Sequence, residues 1–189
     1  MENNGKGKTY SAVKFCIERK LATNCVIYTN VTSFKVFSDT VFITDINELI
    51  DTVISYCDNL PFDESPNIII FFDEIFTILE KGTKINSKIL SFISQLRKRK
   101  IVFVTTAQEW LEINITFRRY VRFQIDCNMI SLPLTNTAFI INCVNDGEQL
   151  KWSNDDNEYI APRISTNIAK GNMSIIESYD TFETIQTKK

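Results

Sequence analysis

Residues 67–74 read Asn-Ile-Ile-Ile-Phe-Phe-Asp-Glu, a run of five apolar residues that ends in two carboxylates. An uninterrupted apolar run of this length is typical of a central parallel strand that is covered on both faces. Pro61 and Pro66 flank a break in the chain directly before it, as expected of a loop that enters a sheet. The run therefore predicts a buried middle strand, with Asp73 and Glu74 at its carboxyl end.

Short apolar runs alternate with amphipathic segments on both sides of this strand. The other predicted strands are 25–30, 40–44, 101–106, 119–126 and 138–145, the last two paired across a turn at 133–136, and the predicted helices are 9–21, 46–59, a segment after Glu74, and 87–99. This alternation predicts an α/β three-layer sandwich around a mainly parallel sheet. Asp45 is expected to cap the second helix. After residue 145 the chain is polar and poorly periodic as far as 173–176, so we expect an irregular surface segment there.

The composition bounds both the domain organisation and the chemistry. With 189 residues, 44% of them hydrophobic, the chain has the length of one globular domain. We assign 1–189 to a single domain with a core at about 3–145 and a polar C-terminal extension at about 146–189. The sequence contains no histidine, which excludes a Ser-His-Asp triad, a histidine general base and histidine-liganded zinc. The five cysteines are never spaced C-x-x-C, which predicts buried thiols.

Charge and hydropathy restrict the partners and the location. The net charge of −2 gives no general attraction for nucleic acid, so a polyanion would have to meet a local basic patch. No apolar stretch reaches the ~18 residues that a spanning helix needs. The N-terminus lacks the layout of a signal peptide. We therefore expect a cytoplasmic protein.

Residues 5–9 read Gly-Lys-Gly-Lys-Thr and stand directly before the first predicted helix. Glycines let backbone N–H groups close around an anion, and a helix N-terminus adds its dipole. In such a loop Lys8 would reach the β- and γ-phosphates of a nucleotide, and the Thr9 hydroxyl would hold Mg²⁺. A flexible Gly- and Lys-rich N-terminus that merely precedes a helix is the alternative. The candidate nucleotide-binding residues are Gly5, Lys6, Gly7, Lys8, Thr9 and Tyr10.

Asp73 and Glu74 supply the carboxylates of the predicted site. Open α/β sheets bind ligands at the carboxyl ends of their strands, which places both residues beside the phosphate loop. Asp73 would hold Mg²⁺ through its water shell, and Glu74 would orient and polarise the attacking water. The alternative is that the pair caps the helix predicted to follow. The joint pattern of Gly-Lys-Thr, a helix, an apolar strand and Asp-Glu favours a site for ATP and Mg²⁺.

Three polar segments further along the chain are weaker candidates. Gln108 follows the strand 101–106, where it would sense the γ-phosphate or position water; alone it is an ordinary loop residue. Arg118 or Arg119, which open the predicted strand, would stabilise transition-state charge across a subunit interface as an arginine finger, or they form a solvated surface pair. The basic residues 97–100 complement a helix dipole, or they contact a phosphate backbone or a neighbouring subunit.

Taken together, these segments resemble the additional-strand P-loop ATPases of the FtsK/HerA class, which are RecA-like. The motifs that carry the resemblance are GKGKT (5–9), NIIIFFDE (67–74), SQLRKRKIVFVTTAQ (94–108) and FRRYVRFQID (117–126). Within the class they are most similar to two groups of small phage ATPases. One group packages the genomes of membrane-containing and related phages, and the other comprises the zonular-occludens-toxin-like assembly ATPases of filamentous phages. The resemblance spans about residues 3–145, and residues 178–183 are similar to how such proteins end.

The resemblance implies a hexameric motor that hydrolyses ATP between subunits and moves DNA during genome packaging or virion assembly. It assigns phosphate and Mg²⁺ binding to Lys8 and Thr9, and metal and water to Asp73 and Glu74. It makes Gln108 the sensor, and Arg118 or Arg119 the finger. It also implies docking to a capsid or membrane assembly protein, with a location in the host cytoplasm or on the virion.

The sequence departs from the family pattern at its start. In G-x-x-x-x-G-K-[ST] the first glycine would stand where this sequence has Glu2, and we expect that the first strand, which leads into the loop, is missing. Two alternatives stay open, of which the second rests on the incomplete loop. One is a DNA-translocating ATPase of conjugation or chromosome partition, and the other is a scaffold domain of the same fold that does not hydrolyse ATP.

Overall fold

The structure, a computed structural model, describes residues 7–61, 66–132, 137–155 and 157–179. Its centre is a parallel sheet of four strands in the order β2-β1-β3-β4. The strands are β1 (Val26–Thr29), β2 (Val41–Phe42), β3 (Ile68–Phe72) and β4 (Val102–Thr105). Every residue of β3 is buried, as the apolar run predicts. In the described part of the chain β4 is an outer strand, and the expectation that the strand leading into residues 5–9 is missing stays a prediction.

Helices cover both faces of this sheet, which confirms the three-layer prediction. Alternate residues of β3 point to opposite faces. Ile69 and Phe71 pack with α1 (Lys8–Thr23). The other face of β3 packs with α2 (Ile46–Asp58) and α3 (Ser87–Gln95). A fully buried Ile or Phe contributes about 1.5–3 kcal/mol relative to an exposed one, so β3 anchors both halves of the core.

The predicted cap of α2 is also confirmed. Asp45 Oδ1 accepts hydrogen bonds from the N–H groups of Asn47 at 2.8 Å and Glu48 at 2.9 Å. These bonds satisfy two of the donors that a helix leaves unpaired at its first turn. The loop between β2 and α2 therefore ends at a defined residue.

A second sheet contains three antiparallel strands in the order β5-β6-β9. The strands are β5 (Phe123–Leu132), β6 (Thr137–Asp146) and β9 (Arg163–Lys170), and β7 (Lys151–Ser153) pairs with β8 (Glu158–Ile160) in a separate hairpin. The predicted pairing of the strands on either side of 133–136 is confirmed. The expectation of an irregular chain after residue 145 is wrong, because β9 pairs with β6 and a short helix, α5 (Met173–Ile176), follows. Almost all of β9 is exposed, so its sequence lacks the apolar alternation that marks a half-buried strand.

Three element boundaries differ from prediction. Glu74 is followed by a single 3₁₀ turn, Ile75–Thr77, because the chain then turns to pair with residues 112–114: Leu79 accepts the N–H of Asn114 at 2.8 Å. The helix that starts at Ser87 ends at Gln95, so the basic residues 97–100 lie beyond it. Arg118 and Arg119 do not open a strand, because Arg118 ends the short helix α4 (Ile115–Arg118).

Among the described residues, no helix combines the length and the apolar character that crossing a membrane requires.

Candidate functional site

Side chains from four elements meet at the carboxyl edge of the parallel sheet. Asn30 follows β1, Asp73 follows β3 and Thr106 follows β4, while Thr9 lies in the first turn of α1. The register pairs Phe72 with Thr105, so Asp73 and Thr106 are neighbours across the strands. The Thr9 hydroxyl lies 3.4 Å from Asp73 Oδ2 and 3.5 Å from Oδ1. The structure thus brings together two of the predicted site segments, which are 64 residues apart in sequence.

Asn30 holds the backbone of Asp73 in place. Its Oδ1 accepts the N–H of Asp73 at 2.7 Å, and its Nδ2 donates to the carbonyl oxygen of Asp73 at 3.0 Å. Only 1% of Asn30 is exposed, so both hydrogen bonds are shielded from water. Loss of either bond would leave a buried polar group without a partner, which is costly. Asn30 is therefore a positioning residue that fixes where the carboxylate leaves the strand.

The carboxyl group of Asp73 is buried and has polar partners. Only 6% of the residue is exposed, and the Thr106 hydroxyl donates a hydrogen bond to its Oδ1. Burial raises the pKa of Asp73 above its ordinary value, and the charge of Glu74 adds to that rise, while the hydrogen bonds from Thr106 and Thr9 oppose it. A cation beside this carboxylate would offset the cost of its burial.

Glu74 stands next to this cluster in an unusual backbone conformation. Its φ of 54° and ψ of 49° lie in the left-handed region, which costs a residue with a Cβ of order 1–2 kcal/mol. The Glu74 N–H donates to Thr106 Oγ1 at 3.0 Å, which helps to hold this conformation. The Glu74 side chain makes no capping hydrogen bond to the 3₁₀ turn that it precedes in the described chain. The helix-cap alternative is therefore not supported for Glu74. Residues with a strained backbone cluster at functional sites, which fits the predicted role of Glu74.

Gly7 belongs to the predicted phosphate loop, residues 5–9, of which Gly5 and Lys6 lie outside the described residues. Gly7 adopts φ 77° and ψ 15° directly before α1 begins at Lys8. A Cβ on Gly7 would approach Ile140 Cγ2 of β6 to 3.3 Å. Both the conformation and the close approach therefore favour glycine at this position.

We expect Gly7→Ala to lower both the melting temperature and the affinity for nucleotide. A matched control is Gly82→Ala, because Gly82 has a similar φ of 83° but nothing within 4 Å of an added Cβ. Each variant should lose about 1–2 kcal/mol from the left-handed conformation, and only Gly7→Ala should also disturb Ile140 and the loop. Thermal denaturation and nucleotide titration measure the two effects. Equal losses of stability with unchanged nucleotide affinity would contradict the assignment of Gly7.

Tyr10 lies between α1 and the C-terminal segment. It is buried, and its hydroxyl accepts the N–H of Asn172 at 2.9 Å. Tyr179 is buried in the same apolar cluster, where burial raises its pKa to about 12 and the nearby charge of Asp73 adds to the shift. The hydrogen bond of Tyr10 therefore supports packing of α1 against the segment around α5, and it does not direct the hydroxyl toward the phosphate loop.

The remaining predicted residues differ in exposure. Gln108 is exposed and follows Thr106 by two residues at the same edge of the sheet. Arg118 is only 2% exposed, and its guanidinium lies 5.7 Å from the ring centre of Trp110. Arg119, in contrast, is exposed. A residue that reaches a neighbouring subunit must be accessible, so Arg119 is the better candidate for the arginine finger.

The basic residues 97–100 are partly engaged within the chain. Arg99 Nη1 donates to Asp58 Oδ1 at 3.0 Å, and Arg97 Nη1 lies 3.6 Å from Glu148 Oε1. These contacts join the end of α3 to the end of α2 and to the loop after β6. They favour a structural role for Arg99, whose side chain is largely covered, whereas the Arg97 side chain is exposed and keeps both alternatives.

The sequence prediction missed two residues that shape the site. Asn30 and Thr106 were recognised only as the ends of strands, yet together they hold the backbone and the carboxylate of Asp73. The available signal was a polar residue at the carboxyl end of each strand that neighbours β3, the strand that Asp73 follows. This signal becomes specific only when the strand order, with β3 between β1 and β4, is known.

The donor set fits Mg²⁺. A hydroxyl and a carboxylate are hard oxygen donors, and Mg²⁺ is usually held by one or two carboxylates together with water and substrate phosphates. Thr9 and Asp73 provide such a pair beside the N-terminus of α1. No cluster of three or more His, Cys, Asp or Glu side chains that could hold a metal occurs in the described residues.

Comparison with solved structures finds proteins of similar fold. The N-terminal domain of zonular occludens toxin from Neisseria meningitidis is 15% identical and superposes with a TM-score of 0.55, over 93% of this chain and 94% of that chain. The genome packaging NTPase B204 from Sulfolobus turreted icosahedral virus 2, solved with ATP-gammaS, is 9% identical with a TM-score of 0.55, over 83% and 91% of the two chains. At these identities the likeness concerns the fold alone. A search of curated protein sequences finds no match.

A family model gives the more specific result. The model of the AAA family, the ATPase family associated with various cellular activities, matches residues 3–129. This range includes residues 5–9, α1 and every strand of the parallel sheet, and it ends within β5. The predicted fold is confirmed, and the chain belongs to the AAA family of ATPases.

Proposed function

We propose that this protein is a Mg²⁺-dependent ATPase that translocates DNA during viral genome packaging or virion assembly. The observation that carries the ATPase proposal is the contact of Thr9 at the start of α1 with the buried Asp73, next to the strained Glu74. Phosphoryl transfer needs an anion cradle, a metal and a group that orients water. Together with Gly7 and Lys8, these residues would provide the cradle, the ligands for the metal and the group that orients water, all without a histidine.

The proposed roles follow from position. Lys8 and the backbone around Gly7 would bind the β- and γ-phosphates at the N-terminus of α1. Thr9 and Asp73 would hold Mg²⁺, which neutralises charge on the transferring phosphoryl group. Glu74 would orient the attacking water, and Gln108 would contact the γ-phosphate from the end of β4. Arg119 of a neighbouring copy would stabilise transition-state charge.

The proposal of DNA as substrate has weaker support. Two of the structural neighbours are described as a genome packaging NTPase and a DNA-packaging ATPase. These descriptions concern the neighbours themselves. Together with the resemblance to the FtsK/HerA class, they make a DNA motor the best-supported function. We also propose that the chain acts as a hexamer in the host cytoplasm or on the virion, docked to a capsid or membrane assembly protein.

The experiment that tests this function measures ATP turnover with and without DNA. We expect double- or single-stranded DNA to raise turnover, and Lys8→Ala to abolish it in both conditions. Displacement of a third strand from a triplex would then report translocation. An ATP turnover rate that is the same with and without DNA, together with no displacement of the third strand, would reject a DNA motor. The protein would then be an ATPase with another role. Absence of both turnover and nucleotide binding would support the non-hydrolysing scaffold.

A further inference from the structure

A cavity of about 360 Å³ lies away from the phosphate loop, between the β7–β8 hairpin, the loop after the 3₁₀ turn and α4. We call it the aromatic groove. Lys81, Gly82, Asn114, Arg118, Trp152 and Tyr159 are among the residues that line it. Asn114 and Arg118 are at least nine-tenths buried, so part of its wall is fixed by the core.

Two half-exposed aromatic rings line the groove. Trp152 of β7 pairs directly with Tyr159 of β8, so both side chains point to the same face of the hairpin. Their ring centres are 5.2 Å apart in an edge-to-face arrangement. About half of each residue is exposed, 52% for Trp152 and 48% for Tyr159. The hairpin therefore presents flat aromatic surface to the solvent beside a cavity.

The charge of the groove differs from that of the whole chain. Lys81 and Arg118 line it, and none of its lining residues is acidic, although the chain as a whole carries a net charge of −2. Cations next to exposed aromatic rings are the combination that binds a phosphate backbone and stacks its bases. The groove is therefore complementary to an anion that also carries planar rings.

We propose that the aromatic groove binds single-stranded nucleic acid, with bases stacked on Trp152 and Tyr159 and a phosphate near the exposed Lys81, while the buried Arg118 adds positive charge from the wall of the groove. A single strand is favoured because the bases of a duplex are already stacked on one another and offer no free faces. The proposal deepens the proposed function, since it rests on DNA being the substrate. It adds the contact surface and the form of the strand.

The groove is connected to the carboxylates of the candidate ATP site. Lys81 lies seven residues after Glu74, and this stretch is fastened to the segment before α4. The Lys81 N–H donates to the carbonyl oxygen of Glu112 at 2.6 Å, and Asn114 Nδ2 donates to the carbonyl oxygen of Thr83 at 2.7 Å. A strand held in the groove would therefore contact the same loop that leaves Glu74.

Tryptophan fluorescence tests the stacking. The chain has two tryptophans, so Trp110→Phe leaves Trp152 as the only indole. The substitution keeps an aromatic face for Arg118, and the Trp110 N–H that it removes is buried without a hydrogen-bond partner in the described structure. Titration of this full-length variant with an oligothymidine of about 12 nucleotides should quench the Trp152 emission. A parallel titration with a duplex of the same length should quench it less.

Affinity measurements on variants complete the test. We expect Trp152→Ala combined with Tyr159→Ala to weaken oligothymidine binding by at least about tenfold, while Trp152→Phe retains binding because a ring remains. Melting curves identify any variant that fails to fold. Lys81 is exposed and lies outside the hairpin, so Lys81→Gln should weaken oligothymidine binding without affecting the fold of the hairpin.

Unchanged affinity in both the double variant and Lys81→Gln, with no quenching of Trp152, would overturn the groove assignment. A wild-type protein that binds neither single strand nor duplex would instead reject DNA as the substrate. A double variant that dissociates in sedimentation but binds oligothymidine normally would make the groove a contact between copies of the chain.

Discussion

Glu74→Gln is expected to lower ATP turnover by about 10²–10⁴-fold, the usual contribution of a group that removes a proton from the nucleophile. Nucleotide binding should be retained, because the amide has nearly the same shape and Lys8, Thr9 and Asp73 are unchanged. The left-handed backbone of Glu74 and its N–H bond to Thr106 are also independent of the side-chain charge. The loss should therefore appear in kcat, measured by phosphate release at saturating Mg-ATP.

Glu80→Gln is the matched control for this variant. Glu80 is an exposed carboxylate in the same segment of the chain, six residues after Glu74. Its neutralisation changes the net charge equally but removes no group from the carboxyl edge of the sheet. Turnover within a factor of about two of wild type is expected for Glu80→Gln. Equal turnover in Glu74→Gln and wild type would remove Glu74 from the mechanism.

Asp73→Asn is expected to abolish turnover and, without nucleotide, to stabilise the fold. The amide keeps an acceptor oxygen for Thr106 and Thr9 but removes a buried charge that lies beside Glu74. Relief of that charge should add about 1–2 kcal/mol to the free energy of unfolding. For a domain of this length the melting temperature should rise by roughly 2–8 °C. Adding Mg-ATP should stabilise the wild-type protein further and Asp73→Asn much less.

The pH dependence of stability provides an independent readout for the same carboxyl group. Because burial raises the pKa of Asp73 in the folded state above its value of 3.8, the folded protein holds this proton at a pH where the unfolded chain has lost it. The contribution of Asp73 to the free energy of unfolding therefore decreases as the pH rises from the ordinary value through the raised one. Asp73→Asn should lack this decrease. A melting temperature that falls in Asp73→Asn at neutral pH would contradict the description of Asp73 as a destabilising buried charge.

The parallel sheet and its helices were predictable because buried strands and helix faces require apolar residues at regular positions in the sequence. The apolar run of β3 must be covered on both faces, and the residues that follow it must reach the edge where ligands bind. The position of Asp73 followed from those two rules, and that of Thr9 followed from the motif 5–9 directly before the first predicted helix. Their contact distance did not, since it depends on strand order and on how α1 packs against Ile69 and Phe71.

The parts that sequence did not predict are those where tertiary contacts override local pattern. β9 is a paired strand with almost no buried residue, so nothing in its composition distinguishes it from a loop. The helix expected after Glu74 is replaced by a 3₁₀ turn, because the backbone of Leu79 and Lys81 forms hydrogen bonds with residues 112–114 instead of continuing a helix. The charge of Arg118 is typical of a surface residue, but only 2% of Arg118 is exposed in the structure, and its guanidinium lies 5.7 Å from the ring centre of Trp110.

The central claim is that the N-terminus of α1 and the carboxyl end of β3 form one Mg-ATP site. Calorimetric titration of Mg-ATPγS into the wild-type protein, Lys8→Ala and Lys14→Ala measures this most directly. Lys14 lies on the same helix but forms an ion pair with Glu18 at 3.8 Å, so it controls for the loss of a cation. A charge-assisted bond is worth about 1.5–3 kcal/mol, and the account predicts binding about 10- to 150-fold weaker in Lys8→Ala and unchanged in Lys14→Ala. Equal affinity in all three proteins would contradict it.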